Sequence, residues 1–344
     1  MRVSLSTLMR AAGVCALVII CAAGVSAQPP GQSQEQKKSD PKEQKISEGE
    51  NQAIKKISEA VDVAAKLQAG NEFIQKYPKS VKRAEVARHI AGEITNMQDA
   101  AQQITLAESF ATSFNQPDEL ALIHPHLMDA YIKSNRIDDA FRVAAVALGN
   151  NSNDVVILTQ MALVGAEELK KNNPKYLQQS QTYAVKAIEL IEADKMPATM
   201  DAARWGEYKS RWLPHLYQSL GLISFLTGNK ADAKAKLNKA ASLNANDPVT
   251  FMLLGSMVNE EYQQLAEKHK TMSAGPLKED TLKEAHAKLD LVIEAFARAV
   301  ALSEGNPQYQ RLHDQLLQDL QVYYKYRKGT TDGLQQLIDK YKKP

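Results

Sequence analysis

The chain is poor in cysteine, in aromatic residues and in net charge, and each shortage excludes something. Its 344 residues hold two cysteines, Cys15 and Cys21. Both fall in a segment that reads as a removable export signal, so the mature chain has no disulfide, no thiolate metal site and no cysteine nucleophile. Aromatic residues make up 6% against 44% hydrophobic, so alanine and leucine carry the apolar load. That balance suits helix-on-helix packing rather than sheets, and the few apolar runs sit inside helical periodicity. Of the 42 basic residues, Arg2 and Arg10 leave with the signal, so 40 face 40 acids. A nucleic-acid binder carries a basic excess, and none is expected as a partner here. No G-x-S-x-G, H-E-x-x-H, phosphate-loop or dinucleotide fingerprint occurs. The reading is non-enzymatic, with no cofactor.

Residues 1–27 read as a signal peptide. Arg2 and Arg10 give a basic start, residues 11–25 are apolar, and Val25-Ser26-Ala27 offers a small-residue cleavage site before Gln28. The apolar part is short for a spanning helix and no comparable run follows. The expected product is exported to a bacterial periplasm or secreted. Membrane contact would come only through an uncleaved signal or a lipid anchor at Cys21, which Ile20 disfavours where a lipidation site has a small residue. Residues 28–49 are rich in Gln, Lys, Glu, Ser and Pro and read as a disordered polar linker. Residues 50–344 read as one helical repeat domain.

The organising stretch is residues 217–248. Tyr217, Leu220 and Gly221 share a face of one helix, Gly228-Asn229 turns, and Ala233, Leu237 and Ala240 stripe a second helix at i, i+4, i+7. The same register recurs upstream: Leu127 falls on Leu220, Ala140 on Ala233, Ala144 on Leu237 and Ala147 on Ala240. Ser180, Ala184 and Ala187 give a third stripe. Phe251, Leu254 and Gly255 restart the phrase, but both helices of that pair extend, giving a long hairpin over about 249–302. A last pair runs from Tyr309 to Tyr341. Nearer the start, Ile54, Ile57, Val61, Ala64 and Leu67 read as one helical stripe. Val81, Val86, Ile90 and Ile94 read as the inward face of another, followed by Ala100, Ile104, Ala107 and Phe110. Trp205, Tyr208 and Trp212, at i, i+3, i+7, predict a packed aromatic face.

These residues carry a resemblance. Leu-Gly on the first helix, the Gly-Asn turn, three small packing points on the second and Leu-Asn-x-Asn-Asp-Pro between pairs resemble tetratricopeptide repeats. The phrase FIQKYPKS resembles helix ends in envelope-associated members of that family. Tyr217 and His124 stand where the family has tryptophan. The resemblance implies an all-α, right-handed solenoid of antiparallel helix pairs whose first helices line a concave, partner-binding face. The family's carboxylate clamp would fall on Pro125 and Asp129, Thr159 and Leu163, Gln218 and Leu222, and Met252 and Ser256, which supply no basic cluster. The expected groove instead comprises Leu222, Phe225, Leu226 and Met252, with Asp129, Lys133, Gln218, Asn259 and Glu260 around them, a mixture suited to a partner peptide or helix. Two other readings remain: self-association through the long hairpin, and a metal-dependent enzyme at His124 or His126. The latter pair lacks a third ligand, and i, i+2 positions on a helix diverge.

Overall fold

The computed structural model describes residues 46–342. The signal at 1–27, Cys15, Cys21 and residues 28–45 of the expected linker lie outside the described residues. All described regular structure is helical, with fourteen α-helices and two single 3₁₀ turns. The chain divides at Ile157–Leu158 into two compact units.

The first unit holds α1 (Glu48–Glu59), α2 (Val63–Lys76), α3 (Arg83–Thr95), α4 (Ala100–Ser113), α5 (Pro117–Lys133) and α6 (Ile137–Asn150). Helix α1 opens with a capping box, in which Ser47 Oγ accepts from Glu50 N–H and the Glu50 carboxylate accepts from Ser47 N–H. It therefore starts two residues earlier than the helical pattern suggested. The stripe from Ile54 to Leu67 is not one helix. Asp62 caps a new start by accepting from Ala65 N–H at 2.7 Å, which leaves Val61 93% exposed in the break. Val81 precedes α3 and is exposed too, so only Val86, Ile90 and Ile94 of its set reach the core. Ala100, the first residue of α4, is likewise exposed, whereas Ile104, Ala107 and Phe110 are buried. Apolar type places a residue in the core only while the helix holds its phase.

The second unit contains most of α7 (Val155–Lys170), then α8 (Leu177–Glu192), α9 (Ala202–Leu226), α10 (Lys230–Leu243), α11 (Pro248–Thr271), α12 (Pro276–Ser303), α13 (Gln310–Lys328) and α14 (Leu334–Asp339). Consecutive helices pack from α8 through α13, and α14 returns to α12. Short turns join the pairs, so partners run antiparallel, as in tetratricopeptide-like repeats. The small stripes are buried as read at Ala140 and Ala144 in the first unit and at Ser180, Ala184, Ala187, Ala233, Leu237 and Ala240 in the second, whereas Ala147, near the end of α6, is only half-buried. Gly221 shows why small size matters. A Cβ there would sit 2.6 Å from Leu237 Cγ and 3.3 Å from the Ala233 carbonyl oxygen. Gly228 makes the turn at φ +86°, and Asn229 caps α10 through Asp232 N–H.

Helices α11 and α12, of 24 and 28 residues, form the long hairpin. The C-terminal end of α13 reaches Asp290 of α12, where Arg327 binds at 2.9 Å. Farther out, Lys288 pairs with Glu261 across the hairpin, and Lys278 donates to the Met272 carbonyl at its tip. Leu277 and Leu291 are exposed on α12, but exposed Asp280, Lys283 and Glu284 interrupt them. They do not form a continuous apolar strip of the kind that marks a self-association face.

Three tyrosines give the fold a pH limit. Burial pushes Tyr131, Tyr217 and Tyr262 up to about 12. Hydrogen bonds to Glu108 and Glu192 add to the effect for Tyr131 and Tyr217, and Tyr326 and Tyr323 add to it for Tyr262. An unfolded tyrosine ionises at about 10. The raised folded value means that this stability is present below about pH 10 and is lost as pH rises through about 12. Thermal melts should therefore fall steeply across that window, and Tyr131→Phe should flatten the first unit's share. Equal pH dependence in parent and variant would contradict the assignment.

Candidate partner-binding face

In the second unit α7, α9, α11 and α13 are the first helices of their pairs, and α8, α10 and α12 the second. The first helices position most of the residues singled out from sequence. On α9, Gln218 donates to Thr250 Oγ1 at 2.8 Å and to Asp247. Asp247 is buried and caps α11, accepting from Thr250 N–H at 2.9 Å and from the Thr250 hydroxyl. This knot fixes where α11 begins relative to α9. Leu222, Phe225 and Met252 are covered in the folded chain, whereas Leu226 at the end of α9 is exposed. Asn259 is buried, and Glu260 pairs with Lys230 at 2.9 Å. Asp129 and Lys133 belong to the first unit, where they pair with each other on α5 at 2.5 Å. The other seven residues of the expected groove lie in the second unit.

A feature of the second unit separates its two kinds of helix. The side-chain polar atoms there that are buried without a hydrogen-bond partner are Thr159 Oγ1 and Gln160 Nε2 on α7, Ser256 Oγ and Asn259 Oδ1 on α11, and Asp319 Oδ2, Tyr323 OH and Arg327 Nε on α13. All are on first helices; among the described residues, none is on α8, α10 or α12. Leaving such a group unpaired costs about 1–3 kcal/mol, and folded interiors tolerate only a few. Second helices are packed as interior, with Ser180 Oγ bonded to the Ala162 carbonyl at 2.5 Å and Ser303 Oγ to the Ala299 carbonyl at 2.8 Å.

Four of these groups lie on α11 and α13. Ser256 and Asn259 are one turn apart on α11, and Asp319 and Tyr323 one turn apart on α13. The Tyr323 hydroxyl faces Asn259 and Gln263, with Asp319 close enough to raise its pKa. Its ring meets Tyr262 edge to face at 6.2 Å and Phe296 at 6.2 Å. Burial pushes both the Asp319 carboxyl and the Tyr323 phenol up, and Gln315 partly offsets this for Asp319. Asn259 was in the sequence-derived set, and Thr159 and Ser256 were at clamp-equivalent positions. Asp319 and Tyr323 were not found, and their only sequence signal is i, i+4 spacing on the last long helix.

The histidines do not converge. His124 is buried on α5, which pushes its pKa down, and His126 is exposed. Among the described residues no three His, Cys, Asp or Glu side chains are grouped to hold a metal ion. No described helix is long and apolar enough to cross a membrane. Trp205 is buried and donates to Asp194 at 2.8 Å while stacking on Tyr208, which places it in the packing of α9.

No protein-family model matches the chain, and no curated protein matches it in sequence. Solved structures similar to it include a tetratricopeptide repeat protein from Parabacteroides merdae ATCC 43184, 12% identical, covering 79% of this chain and 100% of that one, with a TM-score of 0.36. An IFIT1 monomeric mutant with Gppp-AAAA is 13% identical over 82% of this chain, with a TM-score of 0.38, and the match spans 56% of its length. At these scores the likenesses decide nothing about ligand or partner.

Proposed function

We propose that this chain is a non-catalytic scaffold that holds a polypeptide segment on the first helices of its second unit. The observation that carries the reading is that, among the described residues of the second unit, unpartnered, buried hydrogen-bonding groups are confined to α7, α11 and α13; the first unit has one such group, Asn71 Oδ1 on α2. A polypeptide brings N–H donors and C=O acceptors along its length and can satisfy such groups in series. Leu226, exposed at the end of α9, adds apolar contact beside them.

The test is selection from a displayed random-peptide library on the full chain, followed by binding to variants. Peptides sharing a sequence pattern are expected, and Ser256→Leu with Asn259→Leu should weaken them about tenfold or more, the effect of losing one to two hydrogen bonds at a desolvated site. Peptides with no shared pattern, or with affinity indifferent to both substitutions, would reject the reading.

The scaffold would work outside the cytoplasm, in the cell envelope or beyond it. Arg2, Arg10, the apolar run at 11–25 and Val25-Ser26-Ala27 support this. The mature protein is then expected to begin at Gln28, which N-terminal sequencing of material from the native host determines. A product that retains residues 1–27 would make the segment an anchor instead.

A further inference from the structure

We infer, building on the scaffold reading, that Ser256, Asn259, Asp319 and Tyr323 form a subsite for one cationic side chain of the bound polypeptide, an ammonium or a guanidinium. The four residues share a chemistry. Each presents an oxygen that can accept; Ser256 Oγ, Asn259 Oδ1 and Asp319 Oδ2 are buried without a partner, and the Tyr323 hydroxyl, also without a well-formed hydrogen bond, has the Asn259 and Gln263 amides beside it. Asp319 is 7% exposed, Tyr323 7%, Asn259 6% and Ser256 3%, so these are enclosed side chains and not surface groups.

Among the described residues, no ion pair is made to this cluster. The Arg327 guanidinium, one turn beyond Tyr323 on α13, is held by Asp290 through its terminal nitrogen, and its Nε is buried without a partner. The groups that act on the Asp319 carboxyl are its own burial and Gln315. An enclosed carboxyl with no positive neighbour is the costliest kind of group to leave alone and the one that gains most from a cation. Tyr262 and Tyr323, edge to face beside it, supply aromatic surface of the kind that cations favour. A surface depression lies one turn away along α13, next to Asp319 through Gln315. Gln315, which hydrogen-bonds Asp319, also lines a 470 Å³ surface depression with Gln308, Arg311, Asp314 and Gln318.

The rival occupants fit less well. An anion would be repelled by Asp319. An apolar side chain would leave all four oxygens unpaired. An ammonium brings three donors and a guanidinium five, with no acceptor to conflict.

The test uses small probes, so it does not depend on knowing the partner. N-acetyl-lysine methylamide, N-acetyl-arginine methylamide and N-acetyl-norleucine methylamide are titrated into the full chain carrying labelled tyrosine rings, and the Tyr262 and Tyr323 resonances are followed. The two cationic probes are expected to shift both resonances saturably, and the norleucine probe is not. Asp319→Asn, which keeps the shape and removes the charge, should weaken the cationic probes by about tenfold, the scale of one charge-assisted hydrogen bond. If that variant melts early, Asn259→Ala supplies the same comparison with a smaller loss. Equal shifts from norleucine and lysine probes, or unchanged lysine binding in both variants, would overturn the subsite. Library peptides that bind the first helices without a basic residue would remove the subsite and leave the scaffold standing. Saturable cationic binding with no peptide captured would keep the subsite and reject the scaffold.

Discussion

Arg83→Ala destabilises the first unit by about 3–5 kcal/mol, the scale of removing one partner from a buried ion pair. Arg83 on α3 reaches Glu119 on α5 through two parallel hydrogen bonds, Nε to Oε1 at 2.6 Å and Nη2 to Oε2 at 2.9 Å. The Glu119 side chain is 3% exposed and that of Arg83 17%. The same carboxylate accepts from Gln116 N–H at 3.0 Å, which closes the capping box that starts α5. Glu119 thus fixes where α5 begins and how it docks on α3. Without Arg83 its charge is buried with one backbone donor. Arg83→Lys recovers only part of the loss, since an ammonium cannot form the paired fork. The double variant Arg83→Met, Glu119→Met should sit well above Arg83→Ala, because the cost lies in the orphaned charge and not in the missing bridge. Urea melts of the four proteins measure this, and a double variant no more stable than Arg83→Ala would contradict it.

Phe296→Ala costs the second unit about 3–5 kcal/mol, the range for emptying a fully buried aromatic site. Phe296 on α12 is 0% exposed and fills the groove that Gly255 leaves on α11. A Cβ on Gly255 would lie 2.6 Å from two atoms of that ring and 3.1 Å from Ala295 Cβ. Gly255→Ala alone therefore overpacks, costing about 1–3 kcal/mol. In the Phe296→Ala background the ring is gone and the added methyl enters the space it left. The two changes should be strongly non-additive, with the double variant no less stable than Phe296→Ala. Simple addition of the two losses would mean that the helices do not meet through this pair. The same test reports on the hairpin, because Phe296 and Gly255 clamp its base.

Most of the architecture could be read from sequence because small residues at fixed spacing have one physical use. Ala233, Leu237 and Ala240, and the counterparts of the first two at Ala140 and Ala144, mark where two helix backbones approach and are buried; Ala147, the counterpart of Ala240, is half-buried. The errors fell where a cap resets helical phase. Val61 and Val81 are apolar and in register with their neighbours, but Asp62 and the turn before Arg83 interrupt the helices, so both side chains face solvent. The polar face was only partly legible. Thr159, Ser256 and Asn259 were reachable by matching positions between repeats. Asp319 and Tyr323 lie on α13, where the repeat pattern fades, and their isolation from partners is a tertiary fact that no local pattern encodes.

The central claim is that the first helices of the second unit are the working surface. Amide hydrogen exchange on the full chain, with and without a peptide selected from the library, tests it most directly. The account predicts added protection along α7, α9, α11 and α13, strongest around Ser256–Asn259 and Asp319–Tyr323, with α8, α10 and the solvent side of α12 unchanged. Protection centred on α8, α10 or the hairpin tip at Ser273–Lys278, with the first helices unaffected, would contradict it.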